Sequence, residues 1–240
     1  MDQFTFKRYE VKYLVTREQK ERLKAVIRPY VQTNEYSFST IRNIYYDTED
    51  FRLARTSLDK PLYKEKLRMR SYQYVGPQDK VFVEIKKKYD SVVYKRRLSM
   101  KEADAVAWLD HDASRKPESQ IGNEIEYFCN FYKSLRPAVY LSYDREAYEG
   151  ITDKNFRVTF DTRIQARTDR VSLEYEPGGL HVLDPDLAVL ELKVAGAYPL
   201  WLADFLAQEK IYHTSYSKYG TVYKEMILSG SGHLRKEQIA

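Results

Sequence analysis

Residues 63 to 72, YKEKLRMRSY, set Lys64, Lys66, Arg68 and Arg70 on alternate positions with Leu67 and Met69 between them. Side chains alternate between the two faces of a strand, so this stretch reads as a strand with one basic and one largely apolar face. The pattern recurs. In VFVEIKKK, Phe82, Glu84, Lys86 and Lys88 lie opposite Val81, Val83 and Ile85. In FRVTFDTR, Arg157, Thr159, Asp161 and Arg163 lie opposite Val158 and Phe160, and in VLELKV, Glu191 and Lys193 lie opposite Leu190, Leu192 and Val194. Tyr143 and Arg145 share a face, as do Arg8, Glu10 and Lys12.

An antiparallel sheet with one wet face produces such alternation without any ligand. Two features count against solvation alone. Thr, Ser and Gln are scarce at these positions, whereas Lys and Arg dominate. Like charges side by side also repel, and desolvating them costs several kcal/mol per ion unless an opposite charge arrives. If the sheet closes with these faces inward, its interior is a cationic passage suited to a polyanion. Arg68 and Arg70 stand about 6.6 Å apart along one face, so their guanidinium forks can grip neighbouring phosphoryl groups. Such a contact is worth about 4 kcal/mol for unit charges roughly 4 Å apart at an effective dielectric near 20. The interspersed carboxylates suit a divalent cation bridging protein and phosphate, with Glu191 the first candidate and Glu84 and Glu10 behind it.

Other elements follow from local signals. The segment from Phe4 to Val15 alternates as a strand, and Thr16 with Gln19 forms a capping box opening a helix that carries Leu23, Val26 and Ile27 and closes at Pro29. STIRNIYYD and SVVYKRRLSM read as strands, with a short helix after the first capped by Asp47 or Thr48. Ser99 with Glu102 predicts a second capping box, and GNEIEYFCNFYKSL predicts a helix whose inner stripe is Ile125, Phe128, Cys129 and Tyr132. AVYLSYDREAYE, NFRVTFDTRIQA, RVSLEYE and LAVLELKVAG read as further strands, and PLWLADFLAQE and SKYGTVYKEMIL as closing helices. The expected fold is α+β, a large antiparallel sheet or closed barrel with helices packed outside. With no internal repeat and no low-complexity linker, residues 1 to 228 read as one domain with a helical insertion at about 100 to 135, followed by a loose tail at 229 to 240.

Composition narrows the function classes. The chain has 240 residues with 43% hydrophobic, enough for a real core. A net charge of +5 permits an anionic partner without requiring one. The single cysteine, Cys129, excludes a disulfide framework and a cysteine zinc site and reads as a buried thiol. His111, His181, His213 and His233 show no metal-ligand spacing. No stretch is long enough to span a bilayer and no signal peptide is evident, so a cytoplasmic location is expected. Nucleic acid is disfavoured, because the cations alternate into strand faces instead of mixing with exposed aromatics.

Taken in order, Glu10-Val-Lys12, Arg68-Met-Arg70, Glu84-Ile-Lys86, Tyr143-Asp-Arg145, Arg157, Glu191-Leu-Lys193 and Ser217-Lys218-Tyr219 resemble the VTC-type polyphosphate polymerase domain, one of the triphosphate tunnel metalloenzymes related to the CYTH proteins. The resemblance runs from about Phe4 to Leu228. It implies an eight-stranded antiparallel barrel that binds triphosphate inside and transfers the γ-phosphoryl group of ATP to a growing polyphosphate chain, with Mn2+ or Mg2+. It further implies that Lys12, Arg68, Arg70, Lys86, Tyr143, Arg145, Arg157, Lys193, Ser217 and Lys218 line the phosphate path. Arg68, Arg70, Lys86, Arg145, Arg157 and Lys218 would serve the transfer and Glu191 would hold the metal. The hydrolases of the superfamily carry Glu-x-Glu-x-Lys on the first strand; here Arg8 replaces the first Glu, which favours the polymerase branch. The alternatives are a tripolyphosphate or nucleoside-triphosphate hydrolase and a non-catalytic polyphosphate-binding domain. VTC domains often accompany phosphate-sensing or membrane-spanning segments, so any coupling of synthesis to transport is expected to involve another protein, a membrane partner, or to be absent.

Overall fold

The computed structural model describes residues 9–90 and 92–229. The expected roles of Phe4, Phe6 and Arg8 and the expected loose tail lie outside the described residues, apart from Ser229. In chain order the elements are β1 (Tyr9–Thr16), α1 (Arg17–Ile27), β2 (Val31–Gln32), β3 (Phe38–Asp47), α2 (Arg52–Leu58), β4 (Tyr63–Ser71), β5 (Lys80–Tyr89), β6 (Val92–Lys101), α3 (Glu102–Leu109), α4 (Gln120–Tyr132), β7 (Arg136–Gly150), β8 (Arg157–Arg167), β9 (Leu180–His181), β10 (Leu187–Val194), α5 (Leu200–Gln208), β11 (His213–Thr214) and α6 (Lys218–Val222). The main sheet runs in the order β11-β1-β10-β8-β7-β3-β4-β5-β6, with β2 on β7 and β9 on β8. The fold is therefore α+β around a large antiparallel sheet. The pairing has two ends, β11 and β6, so the closed eight-stranded barrel is not seen among the described residues.

The chain forms two compact units. One takes in the chain up to Thr40, Tyr143–Ile164 and Leu183–Ser217. Its core gathers the apolar faces of β1, β8 and β10 against α1 and α5, through Tyr13, Val15, Leu23, Ile27, Val158, Phe160, Leu190, Leu192, Leu202 and Leu206. The Thr16–Gln19 capping box closes as expected, each side chain meeting the other residue's backbone N–H.

The second unit comprises Ile41–Ser142, Gln165–Val182 and the chain from Lys218 onward. Leu67, Met69, Val81, Val83 and Ile85 of β4 and β5 pack with Trp108 of α3 and with Ile125, Phe128 and Cys129 of α4, the stripe expected from the sequence. At the start of α2, Thr48 Oγ1 accepts from Arg52 N, while the Asp47 carboxylate accepts from Leu53 N and Ala54 N.

Two expectations fail here. Ser99 does not cap a helix: β6 stays paired with β5 as far as Lys101, Ser99 sits opposite Phe82, and α3 starts at Glu102 with no side-chain cap. Nor is RVSLEYE a strand. The Arg167 guanidinium collects the carbonyls of Arg170, Ser172, Glu176 and Gly178, wrapping the loop around one side chain in place of a ladder. At Gly179 of that loop φ is +135°, and an added Cβ would stand 2.1 Å from the Ala166 carbonyl oxygen, so only glycine fits.

Candidate functional site

In the second unit, register converts the charge pattern into a surface. Arg68 lies opposite Tyr45 on one side and Glu84 on the other, and Glu84 lies opposite Arg97. The next row is Lys66, Lys86 and Lys95, directly opposite one another on three strands, and beyond it Lys64 faces Lys88. On these rows β4 supplies Lys64, Lys66 and Arg68, β5 supplies Lys86 and Lys88, and β6 supplies Lys95 and Arg97, with the Glu84 carboxylate among them. Like charges directly opposite across a sheet are destabilising.

Glu84 is 1% exposed and anchors the surface. Its Oε2 accepts from Arg68 Nε at 2.7 Å, and its Oε1 lies 2.9 Å from Lys95 Nζ and 3.6 Å from an Arg97 nitrogen. Burial pushes its carboxyl up, but Arg68, Arg70 and Lys95 outweigh that and hold it at about 2. Arg70, 5% exposed, donates from Nε to Asn43 Oδ1 at 2.9 Å, and the Asn43 amide donates in turn to the Leu141 carbonyl.

Tyr45 belongs to this face and was not singled out in the sequence. Its hydroxyl accepts from Arg68 Nη1 at 3.3 Å, and its ring stacks on Tyr219 with centroids 4.5 Å apart. Burial raises the phenol, yet Arg68, Lys66 and Arg70 prevail and lower it to about 8. Tyr219 is fixed by donating to Asp47 Oδ2 at 2.6 Å, so this hydrogen bond and the stack on Tyr45 bring α6 to this face. Lys218, the first residue of α6, is half-buried beside Tyr219, and Lys66 Nζ stands 5.8 Å from the Tyr219 ring centroid.

The first unit carries a different arrangement, with paired signs. Lys12 lies opposite Glu191, and Glu10 opposite Lys193, which in turn faces Arg157. Glu191, 7% exposed, meets Lys193 Nζ at 2.6 Å. Burial raises its carboxyl, while Lys193, Lys12 and Arg145 together bring it well below the usual carboxylate range. Lys193 also stands 4.0 Å from Glu10, and Lys12 Nζ donates to the Tyr216 carbonyl at 3.2 Å. Arg145 forms a two-pronged pair with the fully buried Asp161, at 2.6 and 2.8 Å, with its guanidinium 5.3 Å from the Tyr143 ring centroid. Burial lowers the Arg145 guanidinium, but Tyr143, Asp161 and Glu191 raise it well above its ordinary value. Arg157 is turned elsewhere: it is exposed and pairs with Glu149 at 3.3 Å. Ser217 is half-buried just ahead of α6.

Lys12, Lys193, Glu10, Glu191 and Arg145 are thus gathered on one unit, and Arg68, Arg70, Glu84, Lys86 and Lys218 belong to the other. The sequence reading passed over Lys95, Arg97 and Tyr45 in the second unit and gave Asp161 no role in the first.

No group of three or more His, Cys, Asp or Glu side chains arranged for a metal occurs among the described residues. The donor set fits a hard cation that takes one or two carboxylates from the protein and its remaining oxygens from phosphate. Glu191 and Glu10, converging on Lys193, suit that division. Glu84 is held as counter-ion by Arg68 and Lys95, as Glu191 is by Lys193. Among the described residues no helix is long and apolar enough to cross a membrane.

The fold is an α+β domain whose antiparallel sheet ranks cations on one face of β4, β5 and β6. The VTC domain matches residues 7–227, and the chain belongs to that family. A solved structure from Bacillus halodurans, provisionally described as an adenylate cyclase, resembles it at a TM-score of 0.53 and 16% identity, covering 87% of this chain and 92% of its own. A similarly described protein from Vibrio parahaemolyticus aligns at a TM-score of 0.47 and 14% identity over 92% and 97% of the two chains. No curated protein matches the chain.

Proposed function

We propose that this protein is a metal-dependent polyphosphate polymerase, transferring the γ-phosphoryl group of ATP to a growing inorganic polyphosphate chain. The observation that carries the reading is the row Lys66–Lys86–Lys95 beside Arg68, Arg70 and Arg97, with the Glu84 carboxylate among them. Natural sheets avoid directly opposed like charges, and a bound polyanion removes the repulsion. The family relationship supports the same substrate class.

In this reading Arg68, Arg70 and Lys86 hold phosphate oxygens, and Lys218 adds charge from α6. Phosphoryl transfer asks little covalent chemistry of a protein; positioning and charge stabilisation dominate. The terminal phosphate oxygen of the acceptor attacks, the bond to the ADP oxygen breaks, and no protein nucleophile is needed. Lys12, Tyr143, Arg145, Lys193 and Ser217 serve as phosphate-positioning groups, with Arg157 at an exposed edge. Glu191, assisted by Glu10, would hold Mn2+ or Mg2+, which supplies charge neutralisation to the transferring phosphoryl group. Residues 1 to 228 act as one functional domain in this proposal, in the cytoplasm where ATP is supplied. The closed eight-stranded barrel is part of the same proposal.

Incubation with ATP and Mn2+ is expected to yield long polyphosphate, and Arg70→Ala or Glu191→Ala to abolish it. Free phosphate from tripolyphosphate without chain growth would favour a hydrolase. Tight tripolyphosphate binding with no ATP consumption across several divalent ions would leave a binding domain.

A further inference from the structure

On the opposite face of β3 from Asn43 and Tyr45, Arg42 is 7% exposed, and its Nε and Nη1 have no hydrogen-bond partner among the described residues. The Tyr140 hydroxyl, fully buried on β7, lacks a partner too. Arg167, also 7% exposed, lies with its guanidinium 3.7 Å from the Tyr140 ring centroid, and Arg42 stacks at 4.4 Å on Tyr74. Neither arginine makes an ion pair among the described residues. Arg167 is satisfied by the four loop carbonyls, whereas Arg42 is not. The Glu176 carboxylate, on the same loop, raises the Tyr74 phenol.

Two buried guanidinium groups without a counter-ion, one with orphaned donors, are costly in a folded chain. An oxyanion in the plane of the Arg42 guanidinium satisfies the orphaned nitrogens, and Tyr140 offers a further donor. The stack on Tyr74 covers a face of the guanidinium and leaves its edges available. We propose that Arg42 and Tyr140, beneath Tyr74 and the 168–179 loop, form a second anion site for a small tetrahedral oxyanion, inorganic phosphate foremost. It is separate from the Arg68–Glu84 face, being on the other side of β3 and β4.

A crystal structure of the unaltered chain soaked in inorganic phosphate should place an oxyanion within hydrogen-bond distance of Arg42 Nε or Nη1. A water molecule there at saturating phosphate would overturn the proposal. In solution, calorimetric titration with phosphate should lose one site, or weaken at least tenfold there, in Arg42→Gln, and weaken less in Tyr140→Phe. Acetate, planar and singly charged, should bind more weakly than phosphate or sulfate. Phosphate binding equal in wild type and a folded Arg42→Gln would also overturn it. If Arg42→Gln does not fold, the soaked wild-type crystal still decides. The readout is phosphate binding and not ATP turnover, so its failure is distinguishable from failure of the polymerase reading.

Discussion

Glu84 shows how one residue ties stability to the charge of the site. Its carboxyl is depressed from an ordinary 4.5 to about 2, so its stabilisation is complete above the ordinary value and is lost as pH falls between the two. Glu84→Gln should therefore flatten the acid limb of the stability profile in that window. At neutral pH it should cost roughly 3–5 kcal/mol, because Arg68, Arg70 and Lys95 lose their counter-ion. Urea unfolding at several pH values measures both effects. Tyr45 gives the complementary readout. A phenol lowered to about 8 favours its anion, so its contribution to stability grows as pH rises from there toward 10. Difference titration of tyrosinate absorbance against Tyr45→Phe should reveal that group. Tripolyphosphate should move it upward by neutralising Arg68 and Lys66; a titration insensitive to the polyanion would separate Tyr45 from the binding face.

At the scale of elements, Asp47 joins three pieces of chain. It ends β3, takes the N–H groups of Leu53 and Ala54 in the first turn of α2 and receives the Tyr219 hydroxyl from α6. Asp47→Ala leaves several buried donors unsatisfied and should destabilise by roughly 2–4 kcal/mol, whereas Tyr219→Phe deletes one bond and should cost about 1 kcal/mol. Equal losses by denaturant unfolding would mean that the α2 contacts contribute nothing. Strands and long helices were legible in the sequence because their periods are set by burial: the stripe Ile125, Phe128, Cys129 needs no partner to be read. Register was not. Lys95 and Arg97 sit in the run Lys95-Arg96-Arg97, where three adjacent cations mask the alternation, and only pairing to β5 sends Arg96 to the other face, toward Glu124. Tyr45 is likewise hidden beside Tyr46, an identical side chain on the opposite face. RVSLEYE alternates like a strand, but a side chain from β8 takes its carbonyls, a tertiary choice that no local pattern announces.

For the whole molecule, a face crowded with cations makes stability depend on its ligand. A ligand that binds only the folded chain adds about 2.7 kcal/mol at a hundredfold excess over its Kd. In a chain of this size each kcal/mol raises Tm by roughly 2–4 °C. Saturating tripolyphosphate should therefore raise Tm by about 5–10 °C. Orthophosphate should do less, since a chain of phosphoryl groups reaches from the Arg68 row to the Lys66–Lys86 row while a single group reaches one. Lys95 and Arg97 are exposed, so their share of the attraction is screened over about 8–10 Å at physiological salt. Added chloride should accordingly shrink the shift, and Arg70→Ala should shrink it further at every salt concentration. A tripolyphosphate shift that survives both high salt and Arg70→Ala would locate polyanion binding somewhere other than the face built on β4, β5 and β6.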